Sequence, residues 1–381
     1  VTERAQILVI GGGLAGAAAA CLLARAGRQV VLAERESGPR DKVCGEFLAP
    51  EARRVLSLLG IDLAALGAER VDRVRMILGH RETEAALPFE GASLSRRILD
   101  EALLVRAAAA GTDLRRGWRA TGLEGGPGDW RVRFDAGRSL RVETVLLATG
   151  KHDLRGWRRP AGLQGDLVGF KQHLALRPAA ARSLAGMVDL LLFDGGYAGV
   201  QLVGAGRAAL CLVVRRGRLA ASGGSWEALL GAVMRETPAL ARRLEGAVPC
   251  TERPLAVTAI PYGWVRRGSE GLWRLGDQAA VVPSFTGEGM ALALGSAELA
   301  AGSMLAGDSA DLYQRRLCRR IRARVTASCI LSHALVRTPT QHLLTGLARI
   351  FPSLLGHTAA ATRLRPATGA ELATLPCQAM R

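Results

Sequence analysis

The chain opens on an unbroken apolar run, ILVI at residues 7–10. Such a run suits a strand buried on both faces rather than one with a wet side. A glycine-rich turn follows at 11–16, then an alanine-rich stretch of high helix propensity that closes at Gly27. A second apolar run at 30–32 stops at Glu34. This order predicts a strand, a tight turn, a helix and a second buried strand.

Later segments change period. Residues 71–94 alternate, as in VDRVRMIL, and read as strands. Residues 95–111, SRRILDEALLVRAAAAG, read as a helix, and 142–150, VETVLLATG, as a strand returning to the first unit. Residues 166–216 give further strands, broken by turns at DGG and GAG, and 255–263 adds another piece. Together these predict an antiparallel sheet. Sequence from Met290 onward reads as helix. In the stretch DLYQRRLCRRIRARVTAS, Tyr313, Leu317, Ile321 and Val325 recur every fourth residue, and six arginines lie between 315 and 324. Residues 340–381 contain the apolar LLTGLARIF and several loop breakers, which suit either a cover over a pocket or a dimer contact.

A chain of 381 residues, 49% hydrophobic, has more sequence than one ordinary core needs, so two closely packed lobes are expected. The net charge is +17, almost all of it arginine, since only Lys42, Lys151 and Lys171 are lysines. That excess fits either a coding bias or a basic face for an anionic membrane or acidic partner. Aromatic residues make up 4%, and neither an RNA-binding signature nor zinc-finger spacing occurs, so no nucleic acid is expected. Seven scattered cysteines without a CxxC pair argue for a reducing compartment and against a disulfide framework or a metal site. No run of eighteen uncharged apolar residues is present. The expectation is a cytoplasmic protein, touching a membrane at most peripherally. The basic helix at 311–328 has two readings: a helix lying on anionic lipid, or a helix packed on the core with a solvated arginine face.

Chemistry concentrates in the glycine turns. Gly11, Gly13 and Gly16 form GxGxxG between strand and helix. Gly11 permits the turn, Gly13 lets backbone approach a pyrophosphate, and Gly16 lets helix and strand pack closely. The helix N-terminus, with Leu14 and Ala15, offers unpaired N–H groups to phosphate. Glu34, followed by Arg35, stands where a carboxylate can accept from a ribose diol and disfavours a 2′-phosphate. A dinucleotide site follows, without a choice between NAD and FAD.

A second motif decides that choice. GxGxxG together with GDQAAVVPSFTGEGM at 276–290 resembles the FAD-dependent oxidoreductases with the p-hydroxybenzoate hydroxylase-type fold, a superfamily of group A monooxygenases, geranylgeranyl reductases and flavin-dependent halogenases. The resemblance spans about residues 5–300. It implies an α/β fold: a Rossmann-like FAD-binding domain of residues 1–70, 95–165 and 265–308, an inserted antiparallel-sheet substrate domain of 71–94 and 166–264, and a helical C-terminal region of 309–381. It implies that Asp277 accepts from the ribityl chain, that Pro283 shapes the flavin-side loop, and that Gly287, Glu288 and Gly289 bring backbone N–H groups to the flavin edge ahead of the helix at Met290. Arg96, in SRRILD, would reach the cofactor near the pyrophosphate, and Gly150 would lie close to it. DKVCGEFLAPEA at 41–52 is similar to a segment of the reductase and halogenase branches, and would place Cys44 and Gly45 over the flavin. Cys44 is either a redox or substrate-facing thiol or a small residue packed by the ring.

Departures from the family narrow the activity. The D-G motif associated with NADPH use is replaced by ATGKHDLRGW, and no W-x-W of the tryptophan halogenases occurs. Lys171 and His173 share one face of a strand, so His173 is either an acid or base near the substrate or a histidine on the solvent face. Tyr197 is a further candidate to line the pocket. The implied function is an FAD-dependent oxidoreductase. A monooxygenase acting on an apolar aromatic, polyketide-like or isoprenoid small molecule in a biosynthetic pathway, with NADH or NADPH as donor, ranks first. Reduction of carbon–carbon double bonds in the geranylgeranyl reductase manner stands next, and a flavin-binding accessory protein is the non-enzymatic alternative.

Overall fold

The computed structural model describes residues 3–364. Two sheets organise them. The first has seven strands. Its parallel centre is Glu3–Ile10, flanked by Val30–Glu34 on one side and Ser139–Leu147 on the other, with Ile7 opposite both Val30 and Thr144. Asp113–Arg116 extends the first side and Trp273–Arg274 adds in parallel to Ser139–Leu147. An antiparallel hairpin, Ala120–Gly126 and Asp129–Phe134, completes it. Both central strands are buried along their apolar runs, because helices cover one face and the hairpin's Trp130, Val132 and Phe134 cover the other.

The helix Leu14–Arg25 explains the alanine-rich stretch. Its residues from Leu14 to Leu23 are all buried, wedged between helices Arg96–Ala109 and Gly289–Leu305. Only small side chains let three helices approach so closely.

The second sheet has nine strands. Glu69–Leu78 and Arg81–Ser93 form a long hairpin, and Gly186–Phe193, Gly196–Leu202, Arg207–Arg215 and Leu167–Ala175 follow in antiparallel order. The two groups join through a parallel pairing of Gly186–Phe193 with Glu69–Leu78, so the sheet is not antiparallel throughout. Leu255–Thr258 pairs at the edge with Leu167–Ala175.

Three helices, Ala310–Leu335, Thr338–Ile350 and Ser353–Thr362, end the described chain; expectations for 365–381 lie outside the described residues. In the first of these helices Tyr313, Leu317, Ile321 and Val325 are all buried, and the Tyr313 hydroxyl donates to the Arg274 carbonyl at 2.8 Å. That apolar stripe therefore faces the core, so it is not a lipid-facing surface. Among the described residues, no helix is long and apolar enough to cross a membrane.

Candidate functional site

A cavity of about 900 Å³ opens where the first strand meets its helix. Gly11 sits there at φ +107°, and a Cβ on it would fall 2.5 Å from the Ala148 carbonyl oxygen. A Cβ on Gly16 would fall 1.9 Å from the Gly11 carbonyl oxygen, so Gly16 packs helix on turn and does not face the cavity. Gly13 caps the helix without a side-chain partner, which leaves the first-turn N–H groups of Leu14 and Ala15 toward the cavity. The same helix end carries the partial positive charge that favours phosphate.

Glu34 lines this end, and its two carboxylate oxygens already hold backbone: Oε2 accepts from Gly12 N at 2.6 Å and Oε1 from Glu36 N at 2.9 Å. The carboxylate thus fixes the glycine loop while its remaining lone pairs stay available to a diol. Arg35 lines the cavity beside it, 3.0 Å from His152 Nε2. Burial, then the charges of Arg35 and Arg40, push His152 below the usual imidazole range.

Cations gather near Gly13. Arg96 donates to both carboxylate oxygens of Asp100, at 2.7 and 3.0 Å, and Lys42 Nζ lies 2.7 Å from the same group. Burial opposes the charge on Arg96, but the Asp100 carboxylate outweighs that and keeps the guanidinium protonated, with Cys44 beside it. A Cβ on Gly13 would come within 3.5 Å of Lys42 Nζ and 3.6 Å of Arg96. Lys42 escaped the sequence reading; its nearness to GxGxxG is a matter of fold, and its only local signal is being one of three lysines.

The far end of the cavity is formed by Gly150, Lys151, Gly276, Asp277, Gly289 and Met290. Asp277 faces Lys151 Nζ at 3.7 Å. Cys44 forms one wall with Val43, and the edge strand supplies an apolar patch of Leu255, Ala256 and Val257. The sequence-predicted residues Gly11, Gly13, Leu14, Ala15, Glu34, Arg35, Cys44, Arg96, Gly150, Asp277, Gly289 and Met290 all line this one cavity.

Others do not. Pro283, Gly287 and Glu288 stand outside it. The Phe47 ring covers Gly287, where a Cβ would lie 2.6 Å from it. The Gly287 N–H donates to Ser284 O and the Glu288 N–H to Thr286 Oγ1, so these two groups close their own turn rather than present themselves to a ligand. The Glu288 carboxylate is buried, accepts from Leu364 N at 2.9 Å, and is pushed up to about 8 by burial. Gly45 is also outside the lining; its carbonyl accepts from Gln201 Nε2 at 2.7 Å. Tyr197 is buried away from the cavity, with its hydroxyl 2.8 Å from Ser284 Oγ.

His173 is neither on the solvent face nor on the cavity wall. It is buried, with Nε2 2.7 Å from Glu46 Oε2 and Nδ1 3.6 Å from Asp41. Lys171, on the same strand face, lies 2.5 Å from Glu46 Oε1, which also accepts from Arg96 N at 2.7 Å. Glu46 itself is fully buried at φ +63°. Burial alone would raise its carboxyl; His173 and Lys171 outweigh it and hold the group below its ordinary range. Asp41, Glu46 and His173 offer ligand atoms within 4.8 Å of one another, but the Lys171 ammonium already supplies the positive charge against Glu46.

The residues fit FAD. A cradle where two glycines exclude any Cβ, an uncapped helix end flanked by Arg96 and Lys42, and a carboxylate at the diol position suit the ADP half. Asp277 and the start of the second helix suit the flavin half. Residues 4–138 match the family model described as an FAD binding domain. The chain thus carries an FAD-binding domain and resembles the FAD-dependent oxidoreductases. It is 28% identical over 333 residues to the menaquinone reductase of Mycolicibacterium smegmatis, covering 82% of this chain and 79% of that protein. It is likewise 28% identical over 325 residues to the digeranylgeranylglycerophospholipid reductase of Methanoculleus marisnigri, covering 78% and 75%. Among solved structures, PqsL of Pseudomonas aeruginosa, described as a probable FAD-dependent monooxygenase, matches with a TM-score of 0.67 at 20% identity over 88% of this chain and 96% of that one. The likeness to PqsL is one of fold, the family model carries the FAD assignment, and the names of these proteins divide between reductase and monooxygenase.

Proposed function

We propose that this flavoprotein reduces carbon–carbon double bonds in the polyprenyl chain of a lipid or quinone. The observation that carries the reading is the position of Cys44. Among the described residues it is the one cysteine that lines the cavity, beside the Arg96 guanidinium, and the same lining includes the apolar Leu255, Ala256 and Val257 of the edge strand. Reduction of an isolated double bond needs a hydride, a proton and a dry apolar surface to hold the alkene. Bound FAD supplies the hydride in its reduced form. The Cys44 Sγ–H supplies the proton to the other alkene carbon, and the thiolate left behind stands beside a permanent positive charge. Two further facts support this. The two relatives named above are reductases, and menaquinone and a digeranylgeranyl lipid, the molecules in their names, carry polyprenyl chains. The motif tied to NADPH use in hydroxylases is replaced here by ATGKHD, so a donor other than a nicotinamide fits this chain.

Oxygen transfer, ranked first by the sequence resemblance, is the second reading, favoured by the fold shared with PqsL. One experiment separates the two. The purified protein, checked for flavin absorption, is reduced with dithionite under argon and mixed with a polyprenyl quinone or a geranylgeranyl lipid. The expected result is reoxidation of the flavin without air and a product in which a double bond of the polyprenyl chain, not the quinone ring, carries two added hydrogens after reoxidation of any quinol in air. Reoxidation only by oxygen, with an oxygen atom gained by the substrate, overturns the reductase and supports the monooxygenase.

A further inference from the structure

Helix Thr338–Ile350 is amphipathic in the wrong sense. Its buried residues are Gln341, Thr345 and Ala348, while Leu343 is 61% exposed, Leu347 40% and Ile350 68%. The polar side chains point inward for a reason: Gln341 Nε2 donates to the Phe193, Gly196 and Leu335 carbonyls at 2.8, 3.1 and 2.7 Å, closing the end of a sheet hairpin. Thr345 Oγ1 donates back to Gln341 O at 2.8 Å. Nothing comparable explains why the outward face is leucine and isoleucine. Spaced four and then three apart, these residues form one stripe. Phe351, 56% exposed, and Leu354, 40% exposed, prolong the apolar surface into the next helix. Clustered exposed side chains of this size mark an interaction surface.

The charge around the stripe selects the partner. Residues 312–364 contain no aspartate or glutamate, whereas arginine recurs throughout them, with Arg322, Arg337 and Arg349 exposed. An apolar strip flanked by the exposed Arg337 and Arg349 is complementary to a surface that is apolar below and anionic above. We propose that Leu343, Leu347, Ile350, Phe351 and Leu354 seat the protein on the face of an anionic lipid bilayer. The purpose of this contact rests on the polyprenyl-substrate reading above, but its test does not.

The test is flotation of the intact flavoprotein with vesicles of phosphatidylcholine alone or mixed with phosphatidylglycerol, beside the triple variant Leu343→Gln, Leu347→Gln, Ile350→Gln. All three positions are exposed, and flavin absorbance together with sedimentation velocity shows that the variant folds. The wild type is expected to float with the mixed vesicles, weakly with neutral ones, and the variant to bind at least tenfold less. With substrate in short-chain, detergent-dispersed form the two proteins should turn over alike, while with substrate embedded in vesicles the variant should fall behind. Vesicle binding without any turnover would leave the surface standing and sink the substrate reading. Equal binding by both proteins overturns the proposal. So does a wild type that ignores vesicles and sediments as a dimer that the variant dissociates, which would make the occupant a second copy. Binding that appears only after deletion of residues 365–381 overturns it as well, since that segment would then be the occupant.

Discussion

His173 Nε2 and Glu46 Oε2 lie 2.7 Å apart although 127 residues separate them in sequence. The contact joins the second sheet to the 41–48 segment that carries Cys44, and Lys171 and the backbone N–H of Arg96 hold the other carboxylate oxygen. Glu46→Gln removes the negative charge and leaves Lys171 a buried cation with no counter-charge. Breaking such a pair costs about 3–5 kcal/mol. Denaturant unfolding of the FAD-saturated protein should show a loss of that order; a loss below about 1 kcal/mol would mean the cluster does not hold the segment in place. The pH dependence has a definite sign. Glu46 is depressed in the folded protein, so its contribution is full above its ordinary value of 4.5 and is lost as pH falls through the lower folded value. Wild type should therefore weaken in acid more steeply than the Glu46→Gln variant.

Gly16 and Gly13 should respond differently to the same methyl group. A Cβ at Gly16 collides with Gly11 backbone, and no rotamer relieves it. Gly16→Ala should therefore fail to accumulate as folded flavoprotein. At Gly13 the nearest atoms are the flexible ends of Lys42 and Arg96 at ordinary contact distance. Gly13→Ala should fold, but its methyl group stands where the phosphates approach, and FAD affinity should fall at least tenfold in a fluorescence titration. Equal affinity in Gly13→Ala and wild type would remove the pyrophosphate from that position.

The contrast between these glycines and the Glu46 cluster shows what the sequence makes legible. GxGxxG, Glu34 and the apolar runs beside them are one local unit, so spacing alone places Gly11, Gly13 and Glu34 on one cavity. The late motif is only half local. Asp277, Gly289 and Met290 reach the cavity, but Gly287 is covered by Phe47 and Glu288 is taken up by Leu364, both distant in sequence. Period two put Lys171 and His173 on one face without saying which face is buried; that depends on Glu46, whose local sequence gives no sign of a buried ion. The segment LLTGLARIF is legible as apolar, but not which way its apolar side faces, for a related reason. A helical period marks an apolar face, and only tertiary contacts show that Gln341 took the inner side.

Cys44 is the residue on which the reaction turns. Cys44→Ala should keep its flavin spectrum and lose double-bond reduction by roughly 10²-fold, the range for a positioned proton donor. Cys44→Ser, which keeps a proton on a weaker acid, should recover part of that loss. Stopped-flow reoxidation by substrate under argon measures it. Full activity in Cys44→Ala would assign the proton to water or to another wall residue.

Glu288 gives the clearest pH signature because its shift runs opposite to that of Glu46. Burial raises its carboxyl from 4.5 to about 8, so the folded protein keeps a proton that the unfolded chain gives up. Between those two values the unfolded state binds fewer protons, and stability falls as pH rises. From pH 5 to pH 7 the loss from this group is on the order of 2–3 kcal/mol. Glu288→Gln keeps an oxygen to accept from Leu364 N, and carries no charge at any pH. The variant should match wild type near pH 5 and exceed it increasingly toward pH 8, in denaturant unfolding monitored at fixed FAD concentration. Parallel stability curves for the two proteins across this window would show that Glu288 is ionised and solvated, and that the 363–364 segment does not seal it.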